Sequence, residues 1–162
     1  MYQNPLLPRP AAQVLAGKSS GVGLLLDTNA MIWFLAEEPM EAVALFAIAE
    51  AQTANQLYVS PISAWEAALA LTKPRRQPNL NGQDAATWFK TGRRQIGARL
   101  ILPGVAVGLE AARVPAVYGN GDPGDCYIIA SARVGGHSVV TRDGQMRALH
   151  RRLPAYLSTI SC

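Results

Sequence analysis

The chain is short of cysteine, histidine and aromatic residues and has no apolar run of membrane length, and each shortage excludes a class of chemistry. Its two cysteines, Cys126 and Cys162, fit no metal-binding spacing, and such a pair in a chain without an export signal is more often reduced than bridged. Cys126 falls in an apolar helical run that marks it as core, while Cys162 at the end of the sequence reads as open to cross-linking. His137 and His150 form no ligand pattern and read as surface residues. The longest apolar stretches, such as Ala42 to Ala49, fall well short of a bilayer span. Residues 1–22 lack a secretory core, because Pro5, Pro8 and Pro10 interrupt them and Gly17 to Gly21 is linker-like. These features predict a cytoplasmic, non-membrane protein with a flexible N-terminal arm over 1–22 and one folded domain over 23–162.

Acidic residues are also missing over a long interval. None of the eleven lies between positions 85 and 109, where Lys90, Arg93, Arg94 and Arg99 gather. Further basic groups are Lys73, Arg75 and Arg76, and Arg142, Arg147, Arg151 and Arg152. With a net charge of +4, such clusters suit a polyanion, although a solvated helix face explains any one of them equally well.

What the chain does have is 162 residues with 49% hydrophobic content, enough for one well-buried domain. The stretch Gly23 to Asn29 reads as a buried strand of three leucines ending in Asp27, and a charge there needs a polar neighbour or a cation. Helical spacing follows over Asn29–Ala36 and Glu41–Gln52, then a strand at Leu57–Ser60 and a helix over Ile62–Lys73 stopped by Pro74. After a Pro-, Asn- and Gly-rich loop come a helix at Gln83–Ala98, a strand at Leu100–Leu102 and a short helix at Val105–Ala112. Tyr118 to Gly121 reads as a turn, Pro123–Val134 as a helix ended by two glycines, and Ser138–Thr141 as a strand. A last short helix begins at Asp143-Gly144, and Tyr156–Ile160 reads as an edge strand. Strands alternating with helices predict a parallel sheet covered on both faces.

On that topology five acids share one rim, the carboxyl edge: Asp27, Glu66, Asp122, Asp125 and Asp143. Each also has a capping explanation. Asp27 precedes a helix, Ser63 and Glu66 have capping-box spacing, Asp122 precedes a proline at the first helical position, and Asp143-Gly144 suits a turn. Capping does not explain why all five share a location, and like charges so placed conflict unless a cation joins them. Oxygen-only ligands favour Mg²⁺ or Mn²⁺ over zinc.

The segments LLLDTNAMIWFL, VSPISAWEAALAL, GDPGDCYIIASA and VVTRDGQM resemble, in that order and spacing, the PIN-domain family and within it the VapC-type toxins of bacterial toxin–antitoxin pairs. The resemblance runs from about Gly23 to the C-terminus. It implies a PIN-like three-layer α/β/α sandwich with a short central parallel sheet, and a Mg²⁺- or Mn²⁺-dependent endoribonuclease holding one or two ions. By this resemblance Asp27, Glu66, Asp125 and Asp143 match the acidic quartet, Asp122 a further acid, and Thr141 and Asn29 supporting positions. Asp27 and Asp125 are the expected direct ligands, and Glu66, Asp122 and Asp143 are expected to hold the second ion or ordered waters. Arg75, Arg76, Arg93 and Arg94 are candidates for RNA binding. Trp33, Trp65 and Trp88 are candidates for base stacking, with core packing the expectation for Trp33 and Trp65.

The family also implies a VapB-like antitoxin and a homodimer, and the apolar helices Met31–Leu35 and Glu41–Gln52 supply a groove for the former. Two alternatives stand beside this reading. One is a PIN-like RNA- or partner-binding module without turnover. The other is a haloacid-dehalogenase-like phosphohydrolase, which wants a second aspartate where Asn29 stands. A metal-free ribonuclease would need paired histidines, which the positions of His137 and His150 do not offer.

Overall fold

The computed structural model describes residues 22–75 and 77–162. The arm expected over 1–22 therefore lies outside the described residues except for Val22, and so does Arg76. Five strands, β1 (Leu24–Leu26), β2 (Leu57–Val59), β3 (Arg99–Leu100), β4 (Ser138–Thr141) and β5 (Thr159–Ser161), form one sheet in the order β3-β2-β1-β4-β5. All pairings are parallel, with Leu24 opposite both Leu57 and Ser138. The chain first winds outward through β2 and β3, then returns past β1 to place β4 and β5 on its other side. That reversal opens a crevice at the carboxyl ends of β1 and β4, the place where doubly wound sheets bind ligands.

The three leucines of β1 show why the sheet needs two covering layers. Leu24 and Leu26 point to one face and Leu25 to the other, and all three are buried. The first face packs against α1 (Thr28–Leu35), α2 (Ala42–Thr53), α3 (Ile62–Leu71) and α4 (Ala85–Gln95), through Met31, Ile48, Ala67 and Trp88. The second packs against α5 (Val105–Ala111), α6 (Val114–Tyr118), α7 (Pro123–Gly135) and α8 (Gly144–Arg152), through Val107, Val114, Ile129 and Met146. This is an α/β/α sandwich with a short central parallel sheet. No described helix is long and apolar enough to cross a membrane.

Four expectations change. The segment before Gly119 is a helix, α6, with Pro115 in its first turn where the missing N–H costs nothing. Ser63 and Glu66 form no capping box: the Ile62 N–H is met by the Ser60 hydroxyl instead, and Ser63 is fully buried beside Thr28. Cys162 is buried, not open, and burial pushes its thiol up to about 11. Neither histidine is a free surface residue. His137 stacks on Tyr58 with centroids 4.4 Å apart, and His150 accepts the Thr159 N–H at 2.7 Å, tying β5 to α8.

The tryptophans and the proposed groove also depart from expectation. Trp65 is 44% exposed, whereas Trp88, the freest candidate for base stacking, is sealed in the core at 2%. Trp33 is half-buried beneath the Arg142 guanidinium, 4.1 Å from the ring centroid. Along α1 and α2 the buried apolar residues, among them Met31, Leu35, Ala44 and Ile48, join the core on this face of the sheet, and Val43 and Leu45 of α2 stay exposed.

Candidate metal centre

Each acid is delivered by a local rule. Asp27 follows β1 with extended backbone and caps α1, accepting the Ala30 N–H at 2.6 Å. Asp122 caps α7 ahead of Pro123, accepting the Asp125 N–H at 3.1 Å, which leaves Asp125 in the first helical turn. Asp143 caps α8 through the N–H groups of Gln145 and Met146 at 2.9 and 2.7 Å. Glu66 reaches across from the second turn of α3. For Asp27, Asp122 and Asp143 capping and convergence coexist, because the helix termini orient their carboxylates, whereas Glu66 caps nothing.

Glu66, Asp122 and Asp125 each offer an oxygen within 4.8 Å of the others. Asp27 sits deeper, 6% exposed, close enough to Glu66 and Asp125 for both to raise its pKa. Asp143 raises that of Asp125. Burial is the first cause throughout: it pushes Asp27 from 3.8 to about 7 and Asp125 from 3.8 to about 6, and it raises Glu66 above the usual carboxylate range. Among the described residues the ion pairs join Glu110 to Arg113 and Arg133, and no cationic side chain pairs with any of these five acids. The cluster thus has oxygen donors, raised proton affinity and no protein counter-charge, a combination that fits a hard divalent cation.

Hydroxyl groups hold the acids in place. The buried Thr141 hydroxyl accepts the Asp143 N–H at 2.9 Å and stands near enough to Asp27 to temper the rise in its pKa, so it links the ends of β1 and β4. Thr28 donates to Glu66 Oε2 and lies 3.0 Å from Ser63 Oγ. Asn29 is exposed on the first turn of α1 beside Asp27.

Sequence reasoning missed two residues. Tyr118 is buried; its hydroxyl lies 3.0 Å from Asp125 Oδ2 and 3.3 Å from Asp143 Oδ1, and burial with both acids raises its pKa, so it remains a neutral donor. Gly124 lets Glu66 approach, since an added Cβ would stand 2.3 Å from Oε1. The only hint of the latter was a glycine between two acids in Asp122-Pro123-Gly124-Asp125.

The basic candidates do not join this site as a group. Arg93 donates to the Ala98 carbonyl just before β3, which places it at the amino edge of the sheet, away from the acids; Arg94 is its exposed neighbour. Arg75 is exposed in the loop after α3. Much of the third cluster is committed internally. Arg142 donates to the carbonyls of Cys162 and Pro39, Arg147 donates to the Ser161 hydroxyl at 2.9 Å, and Arg152 donates to the Val117 carbonyl.

Taken together, the doubly wound parallel sheet and the unpaired carboxylates at its switch point define an α/β protein with a candidate cation site. The PIN domain family matches residues 24–151, and the chain belongs to that family. Solved structures share the fold. A VapBC2 complex from Rickettsia felis, bound to a DNA fragment from its promoter, contains a chain 12% identical with a TM-score of 0.61, the match covering 86% of this chain and 98% of that one. A DNA-bound VapBC from Salmonella typhimurium matches at 16% identity and TM-score 0.58, with 86% and 98% covered. FitAcB from Neisseria gonorrhoeae matches at 20% identity and TM-score 0.54, with 85% and 96% covered. No curated protein matches the sequence significantly.

Proposed function

We propose that the chain is a VapC-type toxin, a Mg²⁺- or Mn²⁺-dependent endoribonuclease held in check by a VapB-like antitoxin. The observation that carries this reading is five converging carboxylates without a cationic partner in a PIN fold. Glu66, Asp122 and Asp125 would hold one ion, with Asp27 behind them and Asp143 beside Asp125, leaving room for a second ion or ordered waters. A bound divalent cation supplies charge that acidifies and orients a water and stabilises the departing oxygen of a phosphodiester.

The protein's own groups do the positioning. Thr141 and the Ala30 N–H fix Asp27, Thr28 aims Glu66, and Tyr118 steadies Asp125 against Asp143. Asn29, beside Asp27, is the group we assign to RNA at the acids, while Arg75, Arg76, Arg93 and Arg94 would meet the phosphates of a longer strand, Arg93 and Arg94 at the far edge of the sheet. The solved VapBC and FitAcB complexes support an antitoxin partner. A homodimer and a cytoplasmic location accord with the same reading.

Incubating the purified chain with total RNA in Mn²⁺ and in EDTA, then mapping new ends, tests the proposal. Cleavage in Mn²⁺ that disappears in EDTA and in Asp27→Asn supports it. RNA binding without cleavage in any divalent ion overturns it in favour of a binding module.

A further inference from the structure

Beside the acids lies an open depression of about 310 Å³, lined by Tyr118, Gly119, Gln145, Ala148, Leu149 and Arg152. Its wall is one face of α8, since Gln145, Ala148, Leu149 and Arg152 stand at i, i+3, i+4 and i+7. At 1.5 Å per residue the trough runs roughly 10 Å from the helix end capped by Asp143. Tyr118 belongs to both places: it lines the depression, and its hydroxyl touches Asp125 and Asp143. A strand whose phosphate lay on the acids would therefore lay its next base here.

The polar rim offers donors. Asn120 Oδ1 accepts the Asp122 N–H at 3.0 Å, which fixes Asn120 Nδ2 as the group that donates to Gln145 Oε1 at 2.9 Å. Gln145 must then turn its Nε2, with two hydrogens, away from Asn120, and no described residue accepts them. Arg152 gives one NH2 hydrogen to Val117 and keeps its remaining donors. Gly119, at φ 78°, closes α6 without a side chain over the opening. Ala148, Leu149 and Tyr118 are the apolar members of the lining. Guanine presents two acceptors, O6 and N7, on one edge, whereas adenine sets an amino donor beside its N7.

We propose that this depression is a base subsite that selects an unpaired guanine next to the scissile phosphate, with Gln145 and Arg152 as its specificity-determining residues. The proposal rests on the nuclease reading for the position of the phosphate, and on the depression alone for the choice of base.

The test is binding of labelled pentaribonucleotides UUGUU and UUAUU to the full chain in EDTA, followed by anisotropy, together with mapping of cut ends in total RNA with Mn²⁺. The guanine pentamer should bind roughly five-fold or more tightly. Gln145→Glu, an exposed substitution that turns the free donor into an acceptor, should erase or reverse that ratio, and Arg152→Ala should lower it. Equal binding of the two pentamers, or a preference that Gln145→Glu leaves unmoved, overturns the subsite. Cleavage without base bias at the ends would remove the subsite and leave the nuclease reading standing. A guanine preference without any cleavage would do the reverse.

Discussion

Two polar regions flank the carboxyl ends of β1 and β4, and they are built on opposite principles. Around β5, most polar groups are matched to partners, the buried Arg147 Nε excepted: Arg142 spans from Cys162 to Pro39 across the Trp33 ring, Arg147 holds Ser161 through its guanidinium, Ser161 donates to Glu41 at 2.8 Å, and His150 receives the Thr159 N–H. At the acidic site, Glu66, Asp122 and Asp125 face one another with Asp27 and Asp143 alongside, held by hydroxyl and N–H donors, and among the described residues no cationic side chain pairs with them. The first region fastens the C-terminal strand to the body of the domain. The second leaves charge uncompensated, and the structure tolerates that conflict where a ligand can relieve it.

The sharpest way to break this contrast is to remove an acid. Asp125→Asn should lower Mn²⁺-dependent RNA cleavage by at least roughly a hundred-fold while the thermal midpoint holds or rises, because a repelling charge is gone. A midpoint several degrees lower, with cleavage intact, would make the acids structural.

Next in size is the dependence on pH. Asp27 and Asp125 bind protons more tightly folded, at about 7 and about 6, than unfolded, at 3.8. For acids with raised folded values, these groups favour the fold most below about 4, and that contribution is lost as pH rises through the folded values. In EDTA the chain should therefore lose roughly 4 kcal/mol between pH 4 and pH 8 through Asp27, with Asp125 adding to the loss in the same direction. Mn²⁺ should raise the midpoint more at pH 8 than at pH 5. Calorimetry showing a pH-independent metal effect would deny the link.

A subtler intervention is Gly124→Ala. The added methyl would displace the Glu66 carboxylate, the end of a flexible side chain, so the fold should persist while Mn²⁺ affinity, read by titration calorimetry, falls about ten-fold. Unchanged affinity would mean that Glu66 is not a ligand. The smallest effect belongs to the other region. Arg142→Ala should cost about 1 kcal/mol of stability in urea and leave Mn²⁺ affinity alone.

The two regions also differed in how well the sequence displayed them. Asp27, Asp122 and Asp143 could be read because each obeys a rule spanning a few residues: a charge after apolar β1, a proline behind Asp122, a glycine behind Asp143; the capping-box spacing that drew attention to Glu66 forms no cap. Tyr118 could not, since nothing near it says that its hydroxyl will meet residues 7 and 25 positions away. Basic clusters misled for the same reason. Arg142 looks free until its partner at Pro39, 103 positions back, is in place. Trp65 and Trp88 exchanged their expected roles because helical spacing identifies an apolar face without saying what covers it.

Short-range physics thus settled the alternation of strands and helices, the parallel sheet and the caps, since periodicity and backbone hydrogen bonding act within a turn or a strand. It also nominated all five acids. Which of them stand within ligand distance, which arginines are occupied and where the depression beside Tyr118 opens were decided by strand order and packing. Those depend on contacts between residues far apart in the chain, and their energies are shared across the whole core.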